Sequence, residues 1–266
     1  MRNATDSYVP RLQTERAEFL AWSMRLGPIT AEALAQRNDL SNAKARERLD
    51  EAVRLGFMDK HSVLVGYSDL YTVTAAGRGL ARKQAQAGGY VYSAGMRTAR
   101  VNNREVRHMI ACAGVAAALE RRYPDYRVIG ERELHRDEGK EGRRLASVEL
   151  GRSRNERRSH SPDLVVWPPA EDGEPAPLPV AVEVELTLKS QPDLTANCWA
   201  WAQCRIVEAT LYFVETEAIE TRLLDTIEEL KAEDRIVVNP LSEILKPQPG
   251  FEFEDFAVEA EIDREQ

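Results

Sequence analysis

Residues 162–189 read PDLVVWPPAEDGEPAPLPVAVEVELTLK, two apolar runs separated by a segment rich in proline, glycine and acidic residues. The runs Leu164–Trp167 and Pro179–Leu186 have the length and composition of β-strands, so together they predict a β-hairpin. Glu183 and Glu185 are two residues apart in the second run, which places both carboxylates on one face of its strand. The stretch therefore predicts a hairpin that carries two carboxylates among apolar neighbours.

Carboxylates inside an apolar strand are unfavourable unless a partner offsets their charge. Asp163 opens the first predicted strand, and the hairpin would bring it across from Glu183. Carboxylate oxygens are the ligands that Mg²⁺ prefers, and they also suit Mn²⁺. Asp163 and Glu183 are therefore the candidate ligands of a divalent cation.

The segments SPDLVVW (161–167) and VAVEVELTLK (180–189) resemble the PD-(D/E)xK nuclease superfamily. The pattern of that superfamily is an Asp at the start of a strand and Glu-x-Lys on the next strand. Glu185 stands where the pattern has lysine. Lys189 lies four residues further on with the same strand parity, and is placed to supply the positive charge by folding back.

The nuclease resemblance implies a Mg²⁺- or Mn²⁺-dependent phosphodiesterase. Asp163 and Glu183 would hold the ion, and Glu185 or Lys189 would orient the attacking water. The resemblance also implies a further acidic metal ligand on the first helix of the domain, for which Glu105 is the candidate.

The remainder of the C-terminal two thirds alternates between helical and extended patterns. These patterns predict a helix from Asn103 to Tyr123, an extended segment Tyr126–Leu134, a helix Leu194–Glu208, a strand Ala209–Val214, a helix Ala218–Lys231 and a strand Arg235–Val238. The polar, basic stretch 135–160 lacks an apolar pattern and predicts a long loop excursion or a mobile hairpin. Its arginines over 152–160 either bind phosphates beside the site or belong to a solvated loop. Strands mixed with helices in this order predict an α/β domain.

The N-terminal third predicts three short helices followed by a hairpin. A first helix covers Leu12–Leu26, Thr30 caps a second helix, and Ser41 caps a third. Two extended runs, Ser62–Val65 and Leu70–Thr74, then predict the hairpin.

The segments SNAKARERLDEAVRLGFMDK (41–60) and LYTVTAAGRGLA (70–81) resemble the winged helix-turn-helix family. The resemblance implies that the third helix enters a DNA major groove with its N-terminal end leading. It assigns DNA contacts to Ser41, Asn42, Lys44 and Arg48 on this helix, and to Lys60 and His61 at the start of the wing. Basic residues outnumber acidic ones over residues 1–110, whereas acidic residues prevail over 215–266, as a DNA-facing N-terminal half predicts.

A winged helix followed by Asn-Arg-Glu (103–105), Glu-Arg-Glu-Leu (131–134), Pro-Asp (162–163) and Val-Glu-Val-Glu (182–185) resembles the replication-relaxation family of plasmids and other mobile elements. The resemblance implies an α+β/α/β chain, with an N-terminal winged helix-turn-helix and a restriction-endonuclease-like α/β domain. The expected bounds are residues 1–85 for the winged helix, 86–102 for a linker, 103–246 for the nuclease-like domain and 247–266 for an acidic tail.

Three functions are consistent with these features. The first is a DNA-binding accessory protein in the replication or mobilisation of a mobile element. The second is an active metal-dependent DNA endonuclease, and the third is a winged-helix transcriptional regulator that acts through protein partners. The expected partners are double-stranded DNA, a second copy in a homodimer, and replication or mobilisation proteins.

The composition argues against a membrane-spanning protein and against a secretory signal. The longest apolar runs fall short of the roughly 18 residues that a bilayer span needs, and the N-terminal residues contain no apolar signal core. Three cysteines without a Cys-x-x-Cys pair predict a reducing, cytoplasmic location.

His108 and Cys112 are four residues apart on the predicted long helix, a spacing that suits a metal ion, but the sequence offers no second pair to complete a site.

Two tryptophans, Trp199 and Trp201, lie two residues apart on a predicted helix. We expect them in the core or at a dimer interface rather than in a base-stacking surface, because large aromatic side chains most often serve packing.

Overall fold

The structure is a computed structural model that describes residues 18–62, 66–88, 96–153, 156–170 and 176–245. Its N-terminal part contains four helices and a two-stranded hairpin. These elements are α1 over residues 18–26, α2 (Ala31–Asn38), α3 (Asn42–Arg54), β1 (Met58–His61), β2 (Leu70–Val73) and α4 (Ala75–Gly88).

Both predicted helix caps are confirmed. The hydroxyl of Thr30 accepts a hydrogen bond of 3.1 Å from the N–H of Ala33, and the hydroxyl of Ser41 accepts one of 3.2 Å from the N–H of Lys44. Each satisfies an amide that has no partner inside the first turn of its helix.

The first strand of the hairpin begins earlier than predicted. It covers Met58–His61, whereas the prediction was Ser62–Val65, of which residues 63–65 lie outside the described part. Met58 is buried and pairs with Val73 on β2, so burial of the methionine fixes the register. Ile29 adds a short antiparallel bridge to Tyr71 on the other side of β2.

The remainder of the described chain is a mixed sheet with helices on both faces. Its elements are α5 (Val106–Arg122), β3 (Arg127–Gly130), α6 (Glu131–Glu141), β4 (Val148–Ser153), β5 (Glu156–His160), β6 (Leu164–Trp167), β7 (Val180–Glu185), α7 (Gln191–Ala202), β8 (Thr210–Val214), α8 (Glu217–Leu230), β9 (Ile236–Pro240) and α9 (Leu241–Leu245). The strand order is β3-β6-β7-β8-β9, in which β6 is antiparallel to both β3 and β7, whereas β7, β8 and β9 are parallel to one another. The mixed α/β class is therefore confirmed.

The alternation of side chains along β7 separates two apolar layers. Val182 and Val184 pack towards α5 and α9. Ala181 points to the opposite face, where it packs with Tyr212 of β8 and with residues of α7 and α8. The separate β4–β5 hairpin packs against α7. Glu183 and Glu185 have the parity of Ala181, so they lie on the α7 face.

The predicted strand Tyr126–Leu134 is wrong in its second half, because α6 begins at Glu131. Two acidic residues, Glu131 and Glu133, occupy the first turn of α6, where the helix dipole favours negative charge. Gly142 ends the helix in the left-handed region with φ 67°. The predicted polar excursion 135–160 thus contains most of α6 as well as the β4–β5 hairpin.

Helix α5 contributes to two apolar cores. Ala113 and Ala117 pack with the N-terminal helices, whereas Val115 and Leu119 pack against the sheet. Alanine on the first side lets α2 approach α5 closely, and these helices share many contacts. The domain bounds stay predictions, but the packing through α5 joins the two predicted halves.

Ion pairs reinforce this junction. Arg25 of α1 donates a hydrogen bond of 2.7 Å to Glu133, which is fully buried. Glu120 of α5 accepts hydrogen bonds from the indole of Trp22 at 3.0 Å and from the guanidinium of Arg37 at 2.5 Å. Charged side chains of the N-terminal helices are therefore paired with charged side chains of α5 and α6, and not with water alone.

No helix in the described ranges combines the length and the apolar character that crossing a bilayer requires.

Candidate active site

Asp163 precedes β6 and lies opposite Glu183 on β7. The antiparallel register pairs Leu164 with Val182, and one further step along both strands sets Asp163 against Glu183. The backbone N–H of Val184 donates a hydrogen bond of 2.8 Å to Oδ2 of Asp163, which fixes the carboxylate at the end of the strand. The structure thus brings together the two carboxylates that the hairpin predicts to be neighbours.

Glu183 is buried and paired with a histidine. Only 3% of the residue is exposed, and its Oε1 lies 2.6 Å from Nε2 of His160 at the end of β5. Burial raises the pKa of Glu183. Burial is the largest influence on His160 and lowers its pKa, but the hydrogen bond to Glu183 and the negative charges of Glu183 and Asp163 together raise the imidazole pKa. The edge of the His160 ring faces Trp201 with centroids 5.9 Å apart, so α7 holds the imidazole in place.

Glu185 is paired with Lys189, as the shared strand parity of the two residues suggests. The ammonium of Lys189 donates a hydrogen bond to Oε2 of Glu185, which is 5% exposed. Burial alone would lower the pKa of Lys189, but the charge of Glu185 raises it, so the lysine stays protonated. A positive charge therefore reaches the strand although Glu185 occupies the expected lysine position.

A second histidine approaches the site from α5. Nε2 of His108 lies 3.2 Å from Oδ2 of Asp163 and 3.1 Å from the carbonyl oxygen of Val184. The hydrogen bond to Asp163 raises the pKa of His108 despite its partial burial. Sγ of Cys112, one helical turn further along α5, is 3.7 Å from the same Nε2.

Glu105 does not join this group. It is exposed at the N-cap position of α5, and its side chain makes no capping hydrogen bond. Within the described ranges, the group of potential ligands close enough to hold one ion is His108, Cys112 and Asp163. One turn along α5 separates Glu105 from His108, so the predicted helix brings an imidazole, rather than the expected carboxylate, to Asp163.

Sequence reasoning missed both histidines as site residues. The four-residue spacing of His108 and Cys112 signalled His108, but their third partner is 51 residues from Cys112 along the chain. His160 lies three residues before Asp163, yet only the fold of the β4–β5 hairpin turns its ring towards Glu183.

The carboxylates and imidazoles of the site fit a divalent cation, because carboxylate oxygens and imidazole nitrogen are common ligands of such ions.

The predicted DNA contacts of α3 lie on its surface. Ser41, Asn42 and Lys44 are exposed, and Arg48 is half-buried. The ammonium of Lys44 is 2.9 Å from Oε2 of Glu47, so a DNA phosphate would compete with this exposed ion pair.

The two predicted phosphate contacts of the hairpin already have partners in the chain. Lys60 lies 3.1 Å from both Asp50 and Asp69, and these carboxylates raise its pKa, Asp69 most. His61 lies 2.8 Å from the hydroxyl of Thr72 on the neighbouring strand. Both residues therefore contribute to the hairpin itself.

The two tryptophans of α7 differ in burial. Trp201 is 1% exposed and belongs to the core beneath the α7 face of the sheet, as expected. Trp199 is 54% exposed, so it is not a core residue.

Comparison of the chain with protein-family models, with curated proteins and with solved structures found no match.

Proposed function

We propose that this protein binds double-stranded DNA and hydrolyses a phosphodiester bond at Asp163 and Glu183. The observation that carries the proposal is the placement of Asp163 opposite Glu183, with Lys189 returning to the same strand beside Glu185. This arrangement supports the resemblance to PD-(D/E)xK nucleases, since two carboxylates and one cation meet at the ends of adjacent strands.

The chain's own residues supply most of what such a reaction needs. Val184 holds the Asp163 carboxylate through its N–H, so the oxygen that could bind an ion is fixed in direction. Lys189 stays charged next to Glu185 and can stabilise negative charge on a phosphate. A bound Mg²⁺ or Mn²⁺ would lower the pKa of a coordinated water and offset charge on the phosphoryl oxygens.

The N-terminal part supports the DNA-binding half of the proposal. Three helices followed by a hairpin that Ile29 extends have the order of a winged helix-turn-helix. The N-terminal end of α3 exposes Asn42 and Lys44, as a recognition helix requires. Together with the replication-relaxation resemblance, these features support an accessory role in the replication or mobilisation of a mobile element.

A cleavage assay tests the proposed hydrolysis. Wild-type protein, Asp163→Asn, Glu183→Gln and the exposed control Glu208→Gln are incubated with supercoiled and linear DNA in Mg²⁺, Mn²⁺ or EDTA. We expect metal-dependent nicking or cutting by the wild type and the control, and none by the two site variants. Equal cutting by all four proteins would point to a contaminating nuclease and would overturn the proposal.

A second candidate function is a DNA-binding regulator without catalysis. The specific observation in its favour is that a histidine already pairs with each carboxylate, His108 with Asp163 and His160 with Glu183. Such pairs can make a buried carboxylate stable without any ion. Salt-sensitive DNA binding by a chain that never cuts DNA would favour this function over hydrolysis.

A further inference from the structure

Three side chains with different donor atoms meet where α5 crosses the start of β6. His108 and Cys112 are one helical turn apart, so both point the same way from α5. Nε2 of His108 is 3.2 Å from Oδ2 of Asp163 and 3.7 Å from Sγ of Cys112. One ligand atom from each residue lies within 4.8 Å of the other two.

We propose that His108, Cys112 and Asp163 bind a divalent transition-metal ion of the zinc class, and that this site prefers such an ion to Mg²⁺. The preference follows from the donor atoms. A thiolate and an imidazole suit zinc and its neighbours among the transition metals, whereas Mg²⁺ takes oxygen ligands and keeps much of its water.

The nitrogen–oxygen separation fits one tetrahedral ion as it stands, and the thiol lies within one side-chain rotation of it. Typical zinc bonds to nitrogen, oxygen and sulfur predict ligand separations of about 3.3 Å for a nitrogen–oxygen edge and about 3.6 Å for a nitrogen–sulfur edge. The observed separations from Nε2 of His108 are 3.2 Å to Asp163 and 3.7 Å to Cys112. Binding therefore requires little movement of the His108–Asp163 pair, whereas Sγ of Cys112, which is also 3.8 Å from Nδ1, has to turn towards the lone pair of Nε2.

The surroundings of the site prepare Asp163 as a ligand. The N–H of Val184 donates to its Oδ2 and limits the rotation of the carboxylate. The carbonyl oxygen of Val184 is also 3.1 Å from Nε2 of His108, where it can accept the imidazole proton in the absence of an ion. An ion would take the place of the proton on Nε2, so that the imidazole binds in its neutral form with a proton on Nδ1, and the thiol proton of Cys112 would pass to solvent.

Three protein ligands leave one coordination position for water or another oxygen donor. Zinc sites with three protein ligands and an open position are typical of catalysis, whereas structural sites are closed by four. The side chain of His108 is 38% exposed and that of Asp163 is 18% exposed, so a small molecule can reach this position from solvent.

The inference shares Asp163 with the proposed hydrolysis but concerns a different set of ligands, because His108 and Cys112 take the place of Glu183. Metal binding does not require that DNA be cut, so the two ideas can fail separately. A measurement of binding without DNA is therefore the appropriate test.

Cobalt(II) serves as the probe, because a thiolate ligand gives it an intense near-ultraviolet charge-transfer band and a tetrahedral site gives it visible absorption. The full chain, freed of metal, is titrated with Co²⁺ and then with Zn²⁺ or excess Mg²⁺. We expect the thiolate band in the wild type, its displacement by Zn²⁺, and its persistence in Mg²⁺. Circular dichroism checks that each variant is folded.

Variants assign the band to the three residues. We expect Cys112→Ser to lose the band, while Cys198→Ser and Cys204→Ser, which change the other two cysteines, retain it. His108→Gln and Asp163→Asn should each weaken cobalt binding at least about tenfold, since even outer partners of metal ligands have effects of this size.

Several results would overturn the inference. One is the absence of a thiolate band in folded wild-type protein at saturating Co²⁺, and another is a band that survives in Cys112→Ser. Displacement of Co²⁺ by an equal concentration of Mg²⁺ would refute the preference. A cobalt–thiolate band in a protein that never cuts DNA would keep the inference and remove the hydrolysis, whereas Mg²⁺-dependent cutting without the band would do the reverse.

Discussion

His160 and Glu183 form a buried pair, with Nε2 of the imidazole 2.6 Å from Oε1 of the carboxylate. The two residues come from different sheets, β5 and β7, and the side chain of Glu183 is only 4% exposed. The pair therefore ties the β4–β5 hairpin to the central sheet at the candidate site.

Loss of the imidazole should destabilise the protein through Glu183. We expect His160→Ala to lower the free energy of unfolding by about 2–3 kcal/mol, because a buried carboxylate loses its hydrogen-bond partner. In the double variant His160→Ala/Glu183→Gln the losses should not add, with a coupling of about 1 kcal/mol or more. Urea unfolding of the four proteins measures the cycle, and strictly additive losses would contradict a direct interaction.

Glu133 should be important for joining the N-terminal helices to the sheet. It is fully buried and pairs with Arg25 of α1 and Arg127 of β3. Glu133→Ala leaves Arg25 without this ion pair and Arg127 with Asp137 alone, and we expect a loss of about 1–3 kcal/mol in unfolding free energy because both arginines are partly exposed. The control Glu47→Ala removes an exposed pair with Lys44 and should cost less than about 1 kcal/mol. Equal losses in the two variants would show that burial of Glu133 contributes little.

Glu138 should make stability depend on acid. Burial raises the pKa of this carboxylate, but hydrogen bonds from the N–H groups of Leu145, Ala146 and Ser147 and from the Ser147 hydroxyl outweigh it, so the folded pKa is lowered. The stabilisation is complete above the ordinary value of 4.5 and is lost as the pH falls through the lower, folded pKa. The wild type should therefore exceed Glu138→Gln in unfolding free energy at neutral pH, and the difference should shrink in acid. A difference that is constant with pH would contradict this assignment.

Two glycines of α4 should respond in opposite directions to the same substitution. A Cβ atom at Gly77 would lie 2.0 Å from the carbonyl oxygen of Phe57, whereas nothing lies within 4 Å of one at Gly79. We expect Gly77→Ala to destabilise by about 2 kcal/mol or more, because backbone must move. Gly79→Ala should stabilise by about 0.4–1 kcal/mol, since alanine restricts the unfolded chain. Thermal unfolding of both variants checks the signs, and a stabilised Gly77→Ala would mean that α4 does not approach the backbone of Phe57 this closely.

Lys44 should contribute electrostatically to DNA binding if α3 is the recognition helix. We expect Lys44→Ala to weaken binding to all sequences and to reduce the slope of log K against log salt by about 1. Glu47→Gln should strengthen binding, because it frees the Lys44 ammonium from its 2.9 Å ion pair. The exposed control Lys140→Ala, on α6, should bind as the wild type does. Ser41→Ala is less informative, because loss of the cap also destabilises α3. Unchanged binding by Lys44→Ala would exclude this end of α3 from the interface.

Sequence patterns predicted those features of the fold that depend on residues close together in the chain. The two-residue period put Glu183 and Glu185 on one face, and the side chains of Thr30 and Ser41 predicted their caps. The start of α6 was missed because its stabilising partner is remote: Glu133 in its first turn pairs with Arg25, which lies 108 residues away.

In the candidate site, too, residues close together in the sequence were predicted and residues brought together by packing were missed. Asp163, Glu183 and Lys189 come from one hairpin and its end, so spacing along the sequence was enough to group them. His108 reaches Asp163 only because α5 passes the start of β6, and His160 reaches Glu183 only through the β4–β5 hairpin. Crossing angles of this kind depend on packing between elements and leave no periodic signal in the sequence.

The double role of α5 also limits how such a chain could evolve. Ala113 and Ala117 complete the N-terminal core while Val115 and Leu119 complete the core of the sheet. A recombination event that fused the N-terminal helices to an unrelated protein would leave their apolar surface uncovered unless it carried α5 along. A recombination point that preserves the N-terminal core would therefore lie after α5. The N-terminal unit that is inherited whole would extend to Arg122.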